Sequence, residues 1–188
     1  ASDIAYHHHK KARGFDLLIN VLGSDHHGYV SRLEAGLAST GNKASDLEVI
    51  LMQFVTLYRG KKKIQMSTRS GNFVPMRDLY SEVGVDAARF FYVSRSHDQH
   101  LDFDLELAKK QNNKNPVYYI QYANARIKSV IKENEKRGYL FDEALGKSNL
   151  AKLKLSIEED IISLLGKYPE TILKSSNSRE VNKIANYL

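Results

Sequence analysis

Apolar positions change their spacing along the chain, and the changes predict the elements. In residues 1–13, Asp3, Tyr6, His7 and Lys10 fall on one side at spacings of three and four, which predicts a helix. Residues 15–22 (FDLLINVL) form a short apolar run ending at Gly23, as expected of a parallel strand buried on both faces. Residues 29–39 return to helical spacing, with Val30, Leu33 and Leu37 on one face. Residues 47–58 (LEVILMQFVTLY) read as another strand. Strand, helix, strand in that order suggests half of a doubly wound α/β sheet.

Residues 59–71 break the pattern. They are polar and basic and close on Ser70-Gly71, so they predict a loop or short hairpin. Residues 77–83 and 86–95 read as short helices, with Gly84 as the stop between them. After Asp104 the chain turns helical. Asn115 suits an N-cap and Pro116 the first helical position. Val117, Ile120, Ala123, Ile127, Val130 and Ile131 then make an apolar stripe, and further helices are predicted near 148–165 and 178–188. The pattern divides the chain into an α/β part, 1–103, and an all-α helical bundle, 104–188. The helical pattern is under way at residue 1 and still running at Leu188, and two strands make a small sheet. The chain therefore reads as part of a longer protein.

Composition narrows the function classes. The 188 residues contain no cysteine, which excludes disulfides and thiolate metal sites. No window holds the apolar run of a membrane span, and a cytoplasmic protein fits. The formal charge of +6 is unevenly placed: residues 109–137 hold eight basic and two acidic side chains. That stretch is a candidate phosphate-binding surface, although charge alone equally describes a solvated helix face.

Three stretches carry candidate chemistry. Gly23-Ser24-Asp25-His26-His27 follows a strand and precedes a helix. In open α/β sheets ligands bind in that crevice, and glycine lets backbone approach them closely. A carboxylate there can accept both hydroxyls of a ribose, or simply cap the next helix. Gln65-Met66-Ser67-Thr68-Arg69 lies in the basic loop. Asn115-Pro116-Val117-Tyr118-Tyr119 opens the long helix. His7, His8 and His9 point about 100° apart on a helix and cannot converge on one metal. His97 and His100 lack a third ligand. No metal site is predicted.

These stretches resemble the class I aminoacyl-tRNA synthetases, and the arginine-specific family most of all. The run 19–30 (INVLGSDHHGYV) is similar to one bacterial type of that family, and the similarity extends from Asp3 to about Ile131. The resemblance implies a partial Rossmann-like catalytic domain followed by a helical anticodon-binding domain. It implies an ATP-dependent ligase that joins arginine to tRNA(Arg) through an arginyl-adenylate, with Mg2+ accompanying ATP. A monomer without membrane contact is expected. It implies that Gly23, Asp25 and His26 meet ATP, Asp25 at the ribose. Asp3 would accept the substrate guanidinium, with His26 and His7 close by, since a carboxylate suits a bidentate pair of donors.

Residues 65–74 resemble the arginine version of the family's Lys-Met-Ser-Lys-Ser loop. Met66 and Ser67 would meet ATP. Both consensus lysines are replaced, by Gln65 and Thr68, so Lys63 or Arg69 would supply the missing charge. Lys63 would point the same way as Gln65 if the segment is extended. The family's His-x-Gly-His signature is absent, and the chain would then hold half of an ATP site. Lys109, Lys110, Arg126, Lys128 and Lys132 are candidate tRNA contacts, while Tyr119 and Tyr122 are expected to widen the packed face of the bundle. The alternative is a stand-alone RNA-binding module whose α/β part is only scaffold. Sequence upstream of the chain in the gene would separate the two.

Overall fold

The computed structural model describes residues 2–66 and 73–188. Ser67, Thr68 and Arg69, three of the candidate loop residues, lie outside the described residues. The chain divides into two compact units, one of residues 1–57 and 95–103, the other of residues 58–94 and 104–188. Residues 58–94, expected with the α/β part, group with residues 104–188 in this division.

In the first unit, α1 (Ser2–Ala12) carries Asp3 in its first turn and Lys10 and Lys11 in its last, the charge order that complements the helix dipole. β1 (Leu18–Gly23) pairs in parallel with β2 (Leu47–Met52), from Leu18 opposite Leu47 to Gly23 opposite Met52. Between them run a 3-10 segment, Ser24–Tyr29, and α2 (Val30–Ala38). This is the predicted strand–helix–strand unit. Its core is Leu18, Leu33, Leu37 and Leu47, with Leu22 and Val49 packed against it.

Two expectations fail here. β1 is not buried on both faces: Ile19 and Val21 are 42% and 61% exposed, because only one side of the pair meets α2. Residues 47–58 are not one strand. At Gln53-Phe54 the chain leaves β1, and the Gln53 N–H donates instead to the His97 carbonyl at 2.7 Å. It continues as β3 (Val55–Arg59) in a second sheet of order β4-β3-β5, with β5 at Leu101–Asp104. The short β5 was not anticipated. Leu37 is fully buried between helix and sheet. Leu37→Ala is expected to destabilise this unit by about 2–5 kcal/mol, measured by denaturant unfolding.

In the second unit, the end of β3 turns back as β4 (Lys62–Lys63), pairing Tyr58 with Lys63 and Arg59 with Lys62. Gly60 has φ +59°, and a glycine at the first position of a two-residue turn suits the mirror-image turns that fit strand twist. α3 (Met76–Val83) and α4 (Val85–Val93) follow, separated by Gly84. Asp104 caps the short α5 (Leu105–Ala108), accepting from the Glu106 N–H.

Asn115 caps α6 (Pro116–Lys136) as predicted: its Oδ1 accepts from the Val117 N–H, and its buried amide donates to the Ala108 and Lys110 carbonyls at 2.9 Å. The stripe on α6 is packed only at its start. Val117 is buried and Ile120 half-buried, but Ile127, Val130 and Ile131 are exposed.

The expected single helix near 148–165 is instead α7 (Glu143–Ser148), a 3-10 turn and α8 (Ser156–Gly166). The segment expected near 178–188 is α10 (Asn182–Tyr187); α9 (Tyr168–Ser178), not anticipated, precedes it, and Arg179, which takes left-handed φ +58°, ends α9. The Tyr187 hydroxyl donates to the Leu164 carbonyl at 2.9 Å and its ring meets Tyr168, tying α8, α9 and α10 together.

Candidate active site

The face of α1 that the periodicity marked lies over the edge of β1. His7 is buried, and both ring nitrogens are used. Nδ1 lies 2.7 Å from the Asp3 carbonyl, which can only accept, so the ring carries a proton there. Nε2 then accepts from the Asn20 amide, also at 2.7 Å. Lys10 donates to the other end of that amide at 3.3 Å and sits over the Tyr6 ring. This chain of bonds fixes the rotation of α1 against β1. His7 thus forms wall and anchor, with no ring nitrogen left over for a ligand.

Fixing α1 fixes Asp3. Its Oδ2 accepts a hydrogen bond from the Tyr29 hydroxyl at 2.8 Å. The same bond, and the Asp3 charge, hold the Tyr29 phenol protonated above its ordinary range, so Tyr29 remains a donor. Asp3 Oδ1 has no protein partner among the described residues. Asp3, His7 and His26 line one cavity of about 760 Å³, together with Tyr6, Asn20 and Tyr29. Asp3 therefore meets His26 and Tyr29, which lie more than 20 positions further along the sequence, at one cavity.

At the end of β1, a Cβ on Gly23 would fall on the Asp25 carboxylate oxygen. Glycine there lets the Asp25 side chain fold back over the strand end, and a larger residue would turn it away. The His26 Nε2 lies 3.8 Å from Asp25 Oδ2, with both side chains more than half exposed. Ser24 donates to Gln53 at 3.3 Å, linking the ends of β1 and β2. The Gly-Ser-Asp turn is thus a 3-10 segment lying across the carboxyl ends of two parallel strands.

Reading the sequence missed Asn20 and Tyr29. Asn20 carried a signal, because an amide inside an apolar strand run needs partners. Tyr29 carried none, because its partner lies 26 residues away.

Of the loop candidates, Lys63 and Met66 belong to the second unit. Lys63 stands on β4 opposite Tyr58, and Met66 is exposed. The strand ends at Lys63, so strand alternation does not place Gln65 beside it. Of the candidate tRNA contacts, Lys109 is already engaged, 2.7 Å from Glu106 and 3.2 Å from Glu82. Lys110, Arg126, Lys128 and Lys132 are exposed and have no acidic partner among the described residues. Tyr119 and Tyr122 do not widen a packed face: they are 60% and 50% exposed, and Tyr122 stacks on Tyr118 with centroids 6.2 Å apart.

Elsewhere, His100 Nε2 is shared by Thr56 and Asp102 at 3.0 and 3.1 Å, and His97 Nδ1 lies 3.1 Å from the Leu51 carbonyl oxygen. Among the described residues no cluster of three or more His, Asp or Glu side chains is arranged to hold a metal, and no helix is long and apolar enough to cross a membrane.

The long helical region has a counterpart among known families: residues 120–188 match the DALR anticodon binding domain family. Over its whole length the chain is a homologue of the arginine–tRNA ligases. It is 55% identical to the enzyme of Hydrogenovibrio crunogenus and 52% identical to that of Legionella pneumophila (strain Corby), across all 188 residues in both cases. Those 188 residues are 32% of each relative, so the chain spans about a third of the length of the curated relatives it matches. A solved Campylobacter jejuni structure assigned as an arginyl-tRNA synthetase superposes with a TM-score of 0.80 at 36% identity, covering 98% of this chain and 39% of that one. The Thermus thermophilus arginyl-tRNA synthetase shares the fold, with a TM-score of 0.64 at 20% identity over 92% of this chain and 31% of that one.

Proposed function

We propose that the chain forms part of an ATP-dependent ligase that activates arginine as an adenylate and transfers it to tRNA(Arg) in the cytoplasm. One observation carries the reading: an Asp3 carboxylate held by Tyr29, with a second oxygen left to accept, in the wall of a cavity sized for a small substrate. A guanidinium is planar and always charged, and its N–H groups match such a carboxylate.

Asp3 binds the arginine side chain and His7 holds Asp3's helix in place. His26 lies between arginine and nucleotide. Gly23 and Asp25 receive the ribose of ATP, with Asp25 accepting its hydroxyls. ATP brings Mg2+ as its counter-ion. Met66 and Ser67 close over the nucleotide, and Lys63 or Arg69 meets the departing pyrophosphate. A partial Rossmann-like catalytic domain, 1–103, would then precede the anticodon-binding part, 104–188. In that part Lys110, Arg126, Lys128 and Lys132 hold phosphates, and the exposed Tyr119 and Tyr122 offer stacking faces for bases. Lys109 contributes to that surface only by exchanging its carboxylate partners for a phosphate.

The test is charging of tRNA(Arg) by the full-length protein with ATP and radiolabelled amino acid. Arginine should be transferred and lysine should not, because an ammonium cannot make the forked contact. Equal charging with lysine, or none with arginine, would overturn the reading.

A further inference from the structure

The turn end of the β3–β4 hairpin is tied down by a set of charged groups that the site described above does not use. Glu82, on α3, accepts from both terminal nitrogens of Arg59, one of them at 2.7 Å. Lys109, beyond α5, reaches the same carboxylate at 3.2 Å and Glu106 at 2.7 Å. Asp104 Oδ1 accepts from two backbone N–H groups at 2.9 Å each: Gly60, in the hairpin turn, and Glu106, in the first turn of α5. Two adjacent hairpin residues, Arg59 and Gly60, are therefore fastened to two helices.

The register gives this a consequence. Arg59 and Lys62 are directly opposed, so they share one face, and like charges so placed repel. Glu82 offsets that repulsion. Tyr58 and Lys63 fall on the other face, because strand side chains alternate. The fastening occupies one side of the ribbon and leaves Lys63 on the other.

We propose that Glu82 and Asp104 are positioning residues, which set the hairpin that carries Lys63 and leads to Met66, and act on the adenylate-forming step only through it. This rests on the reading of the hairpin as part of the ATP site. Glu82 is held below the ordinary carboxylate range, first by its hydrogen bond from Arg59 and further by Lys109. A depressed carboxylate contributes stability above its unfolded value and loses it as pH falls through the folded one, so the fastening is intact at neutral pH.

The experiment uses the full-length protein and reads three quantities for Glu82→Gln and Asp104→Ala. These are amide hydrogen exchange across residues 55–63, kcat for arginine transfer to tRNA(Arg), and KM for arginine. Exchange in the hairpin should quicken about tenfold, with exchange in α1 and α2 unchanged. kcat should fall roughly 10- to 100-fold, as expected for a displacement of about 1 Å in a positioned group. KM for arginine should stay within about twofold. Adding Glu82→Gln to Lys63→Ala should cost little more than Lys63→Ala alone, because both act through one group. Arg59→Lys keeps the charge and loses the fork; it should show a smaller shift in the same direction, and it replaces Glu82→Gln if that variant does not fold.

Unchanged hairpin exchange would overturn the fastening. Faster exchange with an unchanged kcat would overturn the positioning role. A lower kcat in Glu82→Gln beside a silent Lys63→Ala would overturn the role given to Lys63 and leave the fastening in place.

Discussion

Replacing Asp3 by asparagine in the full-length protein is expected to weaken arginine binding by about 2–5 kcal/mol, roughly 30- to 5,000-fold in Kd. ATP binding should change far less. Asparagine keeps the size of the side chain and can still accept from the Tyr29 hydroxyl, so α1 should stay where it is. What it loses is the charge and one of two acceptors, and the guanidinium then sits beside an N–H donor. Equilibrium binding of labelled arginine and of ATP, measured separately, checks the prediction. An unchanged arginine affinity would remove Asp3 from the site. A parallel loss of both affinities would mean that the substitution moved the helix and did not simply unpair a ligand.

The second large effect is expected at Lys63. Pyrophosphate gains negative charge as it departs, so a cation placed for it stabilises the transition state more than the bound substrates. Lys63→Ala should then lower kcat for adenylate formation by about 100- to 1,000-fold with little change in arginine affinity. Arginine-dependent pyrophosphate exchange, with tRNA(Arg) present, reads the step. If Lys63→Ala and Arg69→Ala, singly and together, keep near-normal rates, neither residue replaces the missing loop lysines.

Much of the local structure was legible in order and type. The helical spacing of Asp3, Tyr6, His7 and Lys10 marked the face of α1 that borders the cavity. Asn115 and Pro116 marked the start of α6, because a cap and a proline act within one turn of the chain. Less was legible wherever a partner was distant. Residues 47–58 are mostly apolar on either side of Gln53, and one polar residue does not by itself mark a change of sheet; the hydrogen bond from Gln53 to His97 decides it, across 44 positions. The stripe of α6 predicted a packed face, but periodicity shows only that a face is apolar and not that anything covers it. Ile127, Val130 and Ile131 are accordingly exposed while Val117 is buried.

The site divides in the same way. Gly23 and Asp25 were readable together because they are near neighbours in sequence, and the close approach that glycine permits lies between them. His7 was readable as a candidate, but not as one whose ring nitrogens are both committed, since Asn20 is reached only by folding. The orientation of Asp3 depends on Tyr29, and the setting of Lys63 depends on Glu82 and Asp104, each brought in from another element. By itself the sequence determined which residue types could carry the chemistry and which local elements would hold them, because caps, turns and periodicity act over a few residues. The tertiary structure alone decided which of those side chains meet and which are already spent on one another, because a hydrogen bond to a distant partner leaves no trace in spacing.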